Sequence, residues 1–476
     1  MIRIEININT TRLSGNTDLL SELYDYLSFR HPNAFFIQKK MRGRQWDGMV
    51  HPLTPTGLMA TGLLDKAMAF LTDKGETRFE VKDHRNMPKF RPSLKTTIAG
   101  LELRPYQVEA IEVVKNNTAS GVVANPRGVL QMSMNSGKSL VAMGLYENII
   151  DAKVLILINS SVVYKQFKQD LSQAYPDTYG YMQGASIQWG DIMICMIPTL
   201  KNRLTEYRKQ LAAYNVLLVD EADLAVSATA TTIYKSLWHI AIRIGLTGTA
   251  FIRELAKDRV RNLEMRKIFG EPLMEVTMKD LEDMGVSTPV DIQIYTGNNR
   301  DMGSPDFITE FFDCIVYNDK RDRKLLRLVK KQSRQGYFPL LIVNKYVEQC
   351  ERVYELMKKH LPSTSIGIIH TNTPSKDKAK VLSGFKKGEI QILVANLLIK
   401  RGLNLPLIKS IINNAAGAHP SGPLQIIGRG ARTHSSKERF RFIDIYDKGK
   451  YLTKQSKHRI VHYKRQKLNI EKPLRT

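Results

Sequence analysis

Three short runs in this chain carry the residue types that hold and cleave a phosphate chain. The first is Met132-Ser133-Met134-Asn135-Ser136-Gly137-Lys138-Ser139. A phosphate chain calls for backbone N–H groups converging at a helix N-terminus, a lysine for the β/γ oxygens and a hydroxyl for Mg²⁺. Asn135, Ser136, Gly137, Lys138 and Ser139 supply that turn. Met132 replaces the usual leading glycine, and Asn135 stands where glycine is common, a substitution that Asn tolerates because it adopts left-handed backbone readily. The second run is Val216-Leu217-Leu218-Val219-Asp220-Glu221-Ala222-Asp223. An apolar strand ending in Asp-Glu puts two carboxylates at the C-terminal sheet edge, where open α/β folds bind ligands. Asp220 can enter a Mg²⁺ shell, and Glu221 can orient and deprotonate an attacking water. The third is Gln425-Ile426-Ile427-Gly428-Arg429-Gly430-Ala431-Arg432. Arg429 and Arg432, three apart, can face one side of a helix and act on transition-state charge, with Gln425 opening the run. A Gly-Lys-Ser/Thr alone should occur in roughly a quarter of chains this long, whereas all three runs in this order fall to about one in several thousand.

The elements that must position these runs are legible from apolar rhythm. Short β-branched runs alternate with helical stretches: Val129–Met134, Lys153–Asn159, Asp191–Ile197, Asn215–Asp220 and Arg243–Thr247. The rhythm restarts with Asp291–Tyr295, Leu340–Asn344, Ser365–His370, Ile390–Ala395, Ser410–Asn414 and Arg441–Tyr446. Near-continuous apolar strands belong in parallel sheets covered on both faces, so the chain reads as two tandem α/β units. Met284–Pro289, with a Gly and a Pro, is the expected joint. Residues 1–95 form a separate small α+β module: Ile2, Ile4, Ile6 and Ile8 alternate with polar residues, and Leu19–Phe29 has helical spacing. In that module Lys39, Lys40, Arg42 and Arg44 precede Trp46-Asp47-Gly48, where Asp-Gly between two apolar-containing runs suggests a turn or a hairpin. Arg42, Arg44 and Trp46 could lie along phosphates and stack on a base. The last 40 residues, from Lys437, hold 13 Lys/Arg against four Asp/Glu, so 451–476 reads as a basic tail. Lys457, Arg459, Lys464, Arg465 and Lys467 are its candidate phosphate contacts.

Charge decides the partner class. Lys+Arg 71 against Asp+Glu 46 gives a net +25 in 476 residues, which favours nucleic acid, whose condensed counterions lysine and arginine displace. No basic amphipathic helix and no apolar run near the ~20 residues of a bilayer span point to a membrane. Cys195, Cys314 and Cys350 are widely spaced, without a CxxC, which fits ordinary thiols in a reducing cytoplasm and argues against a disulfide framework or a zinc site.

From about residue 100 to 447 the chain resembles the superfamily 2 helicases and translocases. Leu103-Arg104-Pro105-Tyr106-Gln107 looks like that family's adenine-recognition segment, which implies that Gln107 reads the adenine edge with Arg104 beside it. Leu246-Thr247-Gly248-Thr249-Ala250 is similar to motif III, which couples hydrolysis to strand movement. Val394-Ala395-Asn396 and Arg401-Gly402-Leu403-Asn404-Leu405-Pro406 look like motif V, with Gly402 and Asn404 on the nucleotide and Asn404 in place of the usual aspartate. The resemblance implies two RecA-like lobes (96–288 and 289–450) with ATP and Mg²⁺ between them, Ser139 and Asp220 on the metal. It further implies a DNA track at Ser160, Gln166, Thr199, Asn344, Lys345, His370, Thr371 and Asn396. The spelling Asp220-Glu221-Ala222-Asp223 matches the DEAD-box RNA helicases, but Gln425-Ile426-Ile427 and Thr247-Gly248-Thr249 depart from that subgroup and sit better with the DNA-directed branch. Within it, Met41–Gly48 and the overall layout resemble the UvsW-type phage helicases. That implies a monomeric, cytoplasmic remodeller of forks, Holliday junctions and R-loops, in the host cytoplasm if the chain is of phage origin. The rival readings are a duplex translocase without strand separation, an RNA-directed helicase and a structural DNA-binding protein with a decayed ATP site. Phe251-Ile252-Arg253, the N-terminal hairpin and the C-terminal tail are the candidate strand-separating wedges.

Overall fold

The computed structural model describes residues 1–41, 46–119, 123–224, 226–251, 258–297, 306–397, 405–417 and 421–474. They divide into two compact units, Met1–Met132 with Gly137–Glu275, and Ser133–Ser136 with Val276–Thr476. The division thus falls ahead of Met284–Pro289, and the short helix Met278–Asp283, closed by a Thr277/Asp280 capping box, goes with the second unit.

The first unit is organised around an eight-stranded sheet. Its order is Ser186–Gln188, Tyr179–Gln183, Ile192–Met196, Val154–Ile158, Val216–Asp220, Ile242–Thr247, Arg127–Met132 and Pro272–Val276. The central strands are parallel and buried along their whole length, which is why they read as unbroken apolar runs. Register matters for function here: Asp220 pairs with Leu246, and Thr247 with Gln131. The ends of three neighbouring strands therefore bring Met132, Asp220 and Thr247 to one sheet edge.

The N-terminal module is a four-stranded sheet, ordered Leu58–Ala60, Thr10–Gly15, Ile2–Ile6, Phe79–Asp83, with helices Thr17–Leu27 and Leu64–Asp73 packed on it. Ile2, Ile4 and Ile6 are all buried, as their alternation predicted. The module belongs to the first unit, and Leu263 of the lobe helix Arg259–Phe269 is part of the module's own apolar core. Gly62 has no room for a side chain, since a Cβ there would lie 2.1 Å from the Arg266 carbonyl oxygen. Arg127, 1% exposed, donates to the carbonyls of Lys267 and Ile268 at 3.0 and 3.1 Å and also to that of Ile8. Asp47-Gly48 does not close a hairpin of two adjacent strands. Phe29–Arg30 pairs with Met49–Val50 and the helix Ala34–Lys40 lies between them, while Asp47 Oδ1 accepts from Met49 N at 2.7 Å in a local turn.

The second unit holds a seven-stranded parallel sheet ordered Ile366–Ile369, Ile392–Asn396, Leu340–Asn344, Ser410–Asn413, Phe440–Tyr446, Val290–Thr296, Asn469–Leu474. All eleven strands read from the sequence are present across the two sheets. The expected basic tail is instead part of this fold. Helix Leu452–Arg465 buries Leu452 and Tyr463, and strand Asn469–Leu474 pairs in parallel with Val290–Thr296. Arg459, 1% exposed, donates through Nε to Asp444 Oδ2 at 2.8 Å, so it is a core cation and not a phosphate contact. A count of surface charge could not separate it from Lys457 or Lys464.

Candidate active site

The phosphate loop joins strand Arg127–Met132 to helix Lys138–Asn148. Asn135 (φ 71°) and Gly137 (φ 76°) are both left-handed, so the turn curls its backbone ahead of the helix, as an anion cradle requires. Asn135 takes this geometry in place of glycine. Lys138 Nζ donates to the Met132 carbonyl at 3.1 Å. Burial pulls the Lys138 pKa down, and Asp220, Glu221 and Asp223 oppose that shift. Ser136 is fully buried, its N–H directed to the Ser133 carbonyl at 3.4 Å, and Ser139 is half-buried in the first helical turn.

Gln107 is 2% exposed and meets the same loop: a Cβ on Gly137 would lie 2.5 Å from Gln107 Nε2. Its Oε1 accepts from Arg104 N at 3.0 Å, while the exposed Arg104 side chain reaches Tyr106 Oη at 3.3 Å. Asp220, 5% exposed, ends its strand beside Lys138; burial raises its pKa and Lys138 counteracts the rise. Glu221 follows at φ 50°, a left-handed backbone that turns its carboxylate out of strand register. Such strain is held where the surroundings over-determine it, commonly at functional sites.

In the second unit, helix Ser421–Gly430 carries Gln425, half-buried, and Arg429, 9% exposed. The helix stops at Gly430, so Arg432 lies beyond its end and the two arginines do not share a helical face. Arg432 Nε donates to Asn135 Oδ1 at 3.1 Å, and Asn135 Nδ2 to the Gly428 carbonyl. Burial lowers the Arg432 pKa without making the guanidinium titratable near neutrality.

Two family models match these segments: "Type III restriction enzyme, res subunit" over residues 100–252 and "Helicase conserved C-terminal domain" over 320–434. Together they span both sets of site residues and more than half of the chain. The chain belongs to the superfamily 2 helicases. A protein designated helicase 22 of Sulfolobus islandicus filamentous virus is 20% identical over 416 residues, covering 80% of this chain and 70% of its own. Several other curated helicases are matched over about half of their length. An HsdR-subunit fragment of a type I restriction enzyme from Vibrio vulnificus aligns with TM-score 0.56 at 16% identity, over 83% of this chain and 71% of the fragment. The crystal structure of T4 UvsW aligns over 99% of both chains with TM-score 0.44 at 17% identity.

This helicase also contains a polar network that the sequence reading assigned no role. Asp223, 4% exposed, accepts from Thr247 Oγ1 at 2.6 Å and Thr249 Oγ1 at 2.9 Å. Arg261 donates through Nε to the Asp223 carbonyl at 3.1 Å and lies 3.5 Å from its carboxylate. The final carboxylate of the Asp220–Asp223 run thus ties to motif III. The usable signal was a third acid in a turn that directly follows a buried strand, where an unpartnered carboxylate would be costly.

The expected strand contacts are placed unequally. Gln166 and Thr371 are exposed, while Thr199 is half-buried, accepting from Gly184 N at 3.4 Å. Asn396, 6% exposed, donates to Thr371 Oγ1 at 2.8 Å, and His370 lies 3.8 Å from Glu351. Ser160 is 5% exposed, just ahead of helix Ser161–Ala174. Asn344 is 0% exposed, accepting from Asn414 Nδ2 at 2.8 Å, so its side chain belongs to the interior and is not offered to a strand. Lys345 Nζ lies over Phe307, Phe311 and Tyr346 at 4.3, 4.8 and 4.9 Å. Trp46 is half-buried, with Nε1 donating to the Met49 carbonyl at 3.0 Å. Arg42, Arg44, Gly402, Asn404, Ile252 and Arg253 lie outside the described residues.

Proposed function

We propose that this helicase is an ATP-driven DNA motor that remodels branched DNA by regressing forks, migrating junctions and unwinding R-loops. One observation carries the motor reading: Gln107, Gly137–Lys138 and Asp220–Glu221 meet at one sheet edge, with Asp223 leading from them to Thr247 and Thr249. The +25 charge, and motif III and Gln425-Ile426-Ile427 spellings unlike the RNA-directed DEAD-box subgroup, support DNA as the track.

ATP is the substrate, and Ser139 and Asp220 would hold Mg²⁺. Asp220 suits a metal that takes one or two carboxylates and completes its shell from substrate phosphates. Burial works against its ionised form, which Lys138 favours and a bound cation would favour further. When bound, the metal draws charge from the phosphate oxygens. Lys138 and the N–H groups of the Asn135–Ser139 turn hold and orient those oxygens. Glu221 positions the attacking water and accepts its proton. Arg429 and Arg432 add positive charge to the transition state, and Gln107 selects adenine. The tracking residues are Ser160, Gln166, Thr199, Lys345, His370, Thr371 and Asn396, with Arg42, Arg44 and Trp46 on the N-terminal module.

ATP turnover is measured with fork, four-way junction, R-loop, linear duplex and RNA cofactors. Branched DNA should stimulate most; equal stimulation by linear duplex, or a preference for RNA, overturns the branched-DNA reading. Lys138→Ala should abolish turnover while nucleic-acid affinity stays largely intact, and retained turnover would dismiss the phosphate-loop assignment.

A further inference from the structure

Where the N-terminal module meets its lobe, the first unit contains a cleft of about 300 Å³. Three cations line it, each set over an aromatic ring: Lys66 over Tyr26 at 5.4 Å, Arg259 over Phe29 at 5.7 Å and Arg266 over Phe251 at 4.3 Å. A ring face holds a cation through its quadrupole without cancelling the charge, so the N–H donors stay available to an anion. Arg266 also binds Glu271 at 2.8 Å. Neither Lys66 nor Arg259 has a carboxylate partner among the described residues. Lys66 bears the consequence: burial lowers its pKa first and the neighbouring Arg266 and Arg259 lower it further, while Glu271, which is bound to Arg266, opposes the shift. The cleft therefore concentrates more positive charge than its own acids neutralise.

We infer that this cleft holds the phosphodiester backbone of a nucleic-acid strand, with Lys66 and Arg259 as its phosphate contacts. The chemistry separates this ligand from a free anion. Phosphate alone would leave most of the volume empty, whereas a sugar–phosphate unit fills more of it and keeps its anionic oxygens within reach of Lys66 and Arg259. Phe251 also links the cleft to the active site. It directly follows Thr247–Ala250, whose two hydroxyls bind Asp223. A strand seated here would press on the segment that touches the Asp220–Asp223 turn.

This inference rests on the nucleic-acid motor reading, yet its readout is binding alone. A preference for RNA, or no selectivity for branches, would defeat that reading and leave the result below standing. Fluorescence anisotropy of a labelled single-stranded oligonucleotide is followed against salt for the full chain and for Lys66→Gln, Arg259→Gln and the double variant. Each phosphate contact contributes about 0.7 to the slope of log K against log salt, so the double variant should lose about 1.4. Its affinity should fall roughly ten-fold while basal ATP turnover without nucleic acid is kept. An unchanged slope and affinity would overturn the inference. If basal turnover is lost, Lys66→Arg with Arg259→Lys must restore both turnover and slope, and turnover restored without the slope also overturns it. Inorganic phosphate at constant ionic strength should not displace the oligonucleotide. Displacement from the unmodified protein but not from the double variant would make the cleft a free-phosphate site and end the proposal.

Discussion

Removing the Asp223 carboxylate should destabilise the first unit by about 3 kcal/mol, and most of that should be coupled to a single hydroxyl. Thr247 Oγ1 is the main donor: its residue is 1% exposed, and its 2.6 Å bond goes to an ionised acceptor, a class of bond contributing about 1.5–3 kcal/mol. Thr249, half-buried with a 2.9 Å bond, can turn to water and should lose about 1 kcal/mol or less. Arg261 lies 3.5 Å away with its side chain 33% exposed, so its ion pair adds under about 1 kcal/mol. Thr247→Val keeps the shape and removes the donor to Asp223 together with the acceptor of the Thr249 N–H at 3.1 Å, and should cost about 2 kcal/mol. Asp223→Ala combined with Thr247→Val should then cost less than the sum of the two, by about 1.5–2 kcal/mol. The chain has three tryptophans, Trp46, Trp189 and Trp238, and all belong to the first unit, so urea unfolding followed by tryptophan fluorescence reports on that unit. Additivity within about 0.5 kcal/mol would refute the network as the basis of the effect.

Two further outcomes follow from the geometry. Gly137→Ala must place a Cβ at φ 76° and 2.5 Å from Gln107 Nε2, which costs about 1–2 kcal/mol in backbone alone and displaces the Gln107 amide. The KM for ATP should rise about ten-fold or more, and an unchanged KM would separate Gln107 from the nucleotide. Asp65 has its pKa pushed up to about 6 by burial, against the hydrogen bond from Asn125. Between the ordinary value of 3.8 and 6 the folded state binds the extra proton, so stability falls as pH rises through this window and levels off above it. Asp65→Asn removes the titration. Relative to the parent it should gain on the order of 2 kcal/mol of first-unit stability between pH 4 and pH 7, after allowance for partial exposure. Parallel pH curves from tryptophan-detected melting would contradict this.

The parallel sheets were legible because strands buried on both faces must be apolar throughout, and Val154–Ile158 or Leu340–Asn344 can be little else. Of the four strands of the two large sheets that escaped notice, Ser186–Gln188, Pro272–Val276 and Asn469–Leu474 lie at sheet edges and Tyr179–Gln183 lies next to one. Edge strands are short or carry polar residues, and their place is settled by the neighbours they pair with. The phosphate loop was legible because Asn135 and Gly137 are among the few residues that accept left-handed backbone. Asn344 and Arg459 were misjudged for a common reason. Both are polar and adjoin functional segments, but inside the fold Asn414 donates to the Asn344 side-chain oxygen and Asp444 accepts from Arg459, and those partners are 70 and 15 residues away. Long-range satisfaction of a buried polar group leaves no local trace in sequence.

Helix Arg259–Phe269 offers a physical route between hydrolysis and the N-terminal module. Arg261 holds the Asp223 turn, Arg259 and Arg266 line the cleft, and Leu263 is buried in the module's core. These four residues sit within eight positions of one helix, so a shift of the Asp223 turn cannot leave the module untouched unless the helix bends. Adjacency becomes coupling only if both ends bias the same element. Arg261→Ala tests that directly, because it detaches the helix from the turn while sparing the phosphate loop and the cleft cations. Basal ATP turnover should stay within about two-fold, and the ratio of nucleic-acid-stimulated to basal turnover should fall by about five-fold or more, the lower range of a typical coupling energy. A variant that keeps its full stimulation would show that the strand signals to the nucleotide by another path, and that Arg261 only braces the turn.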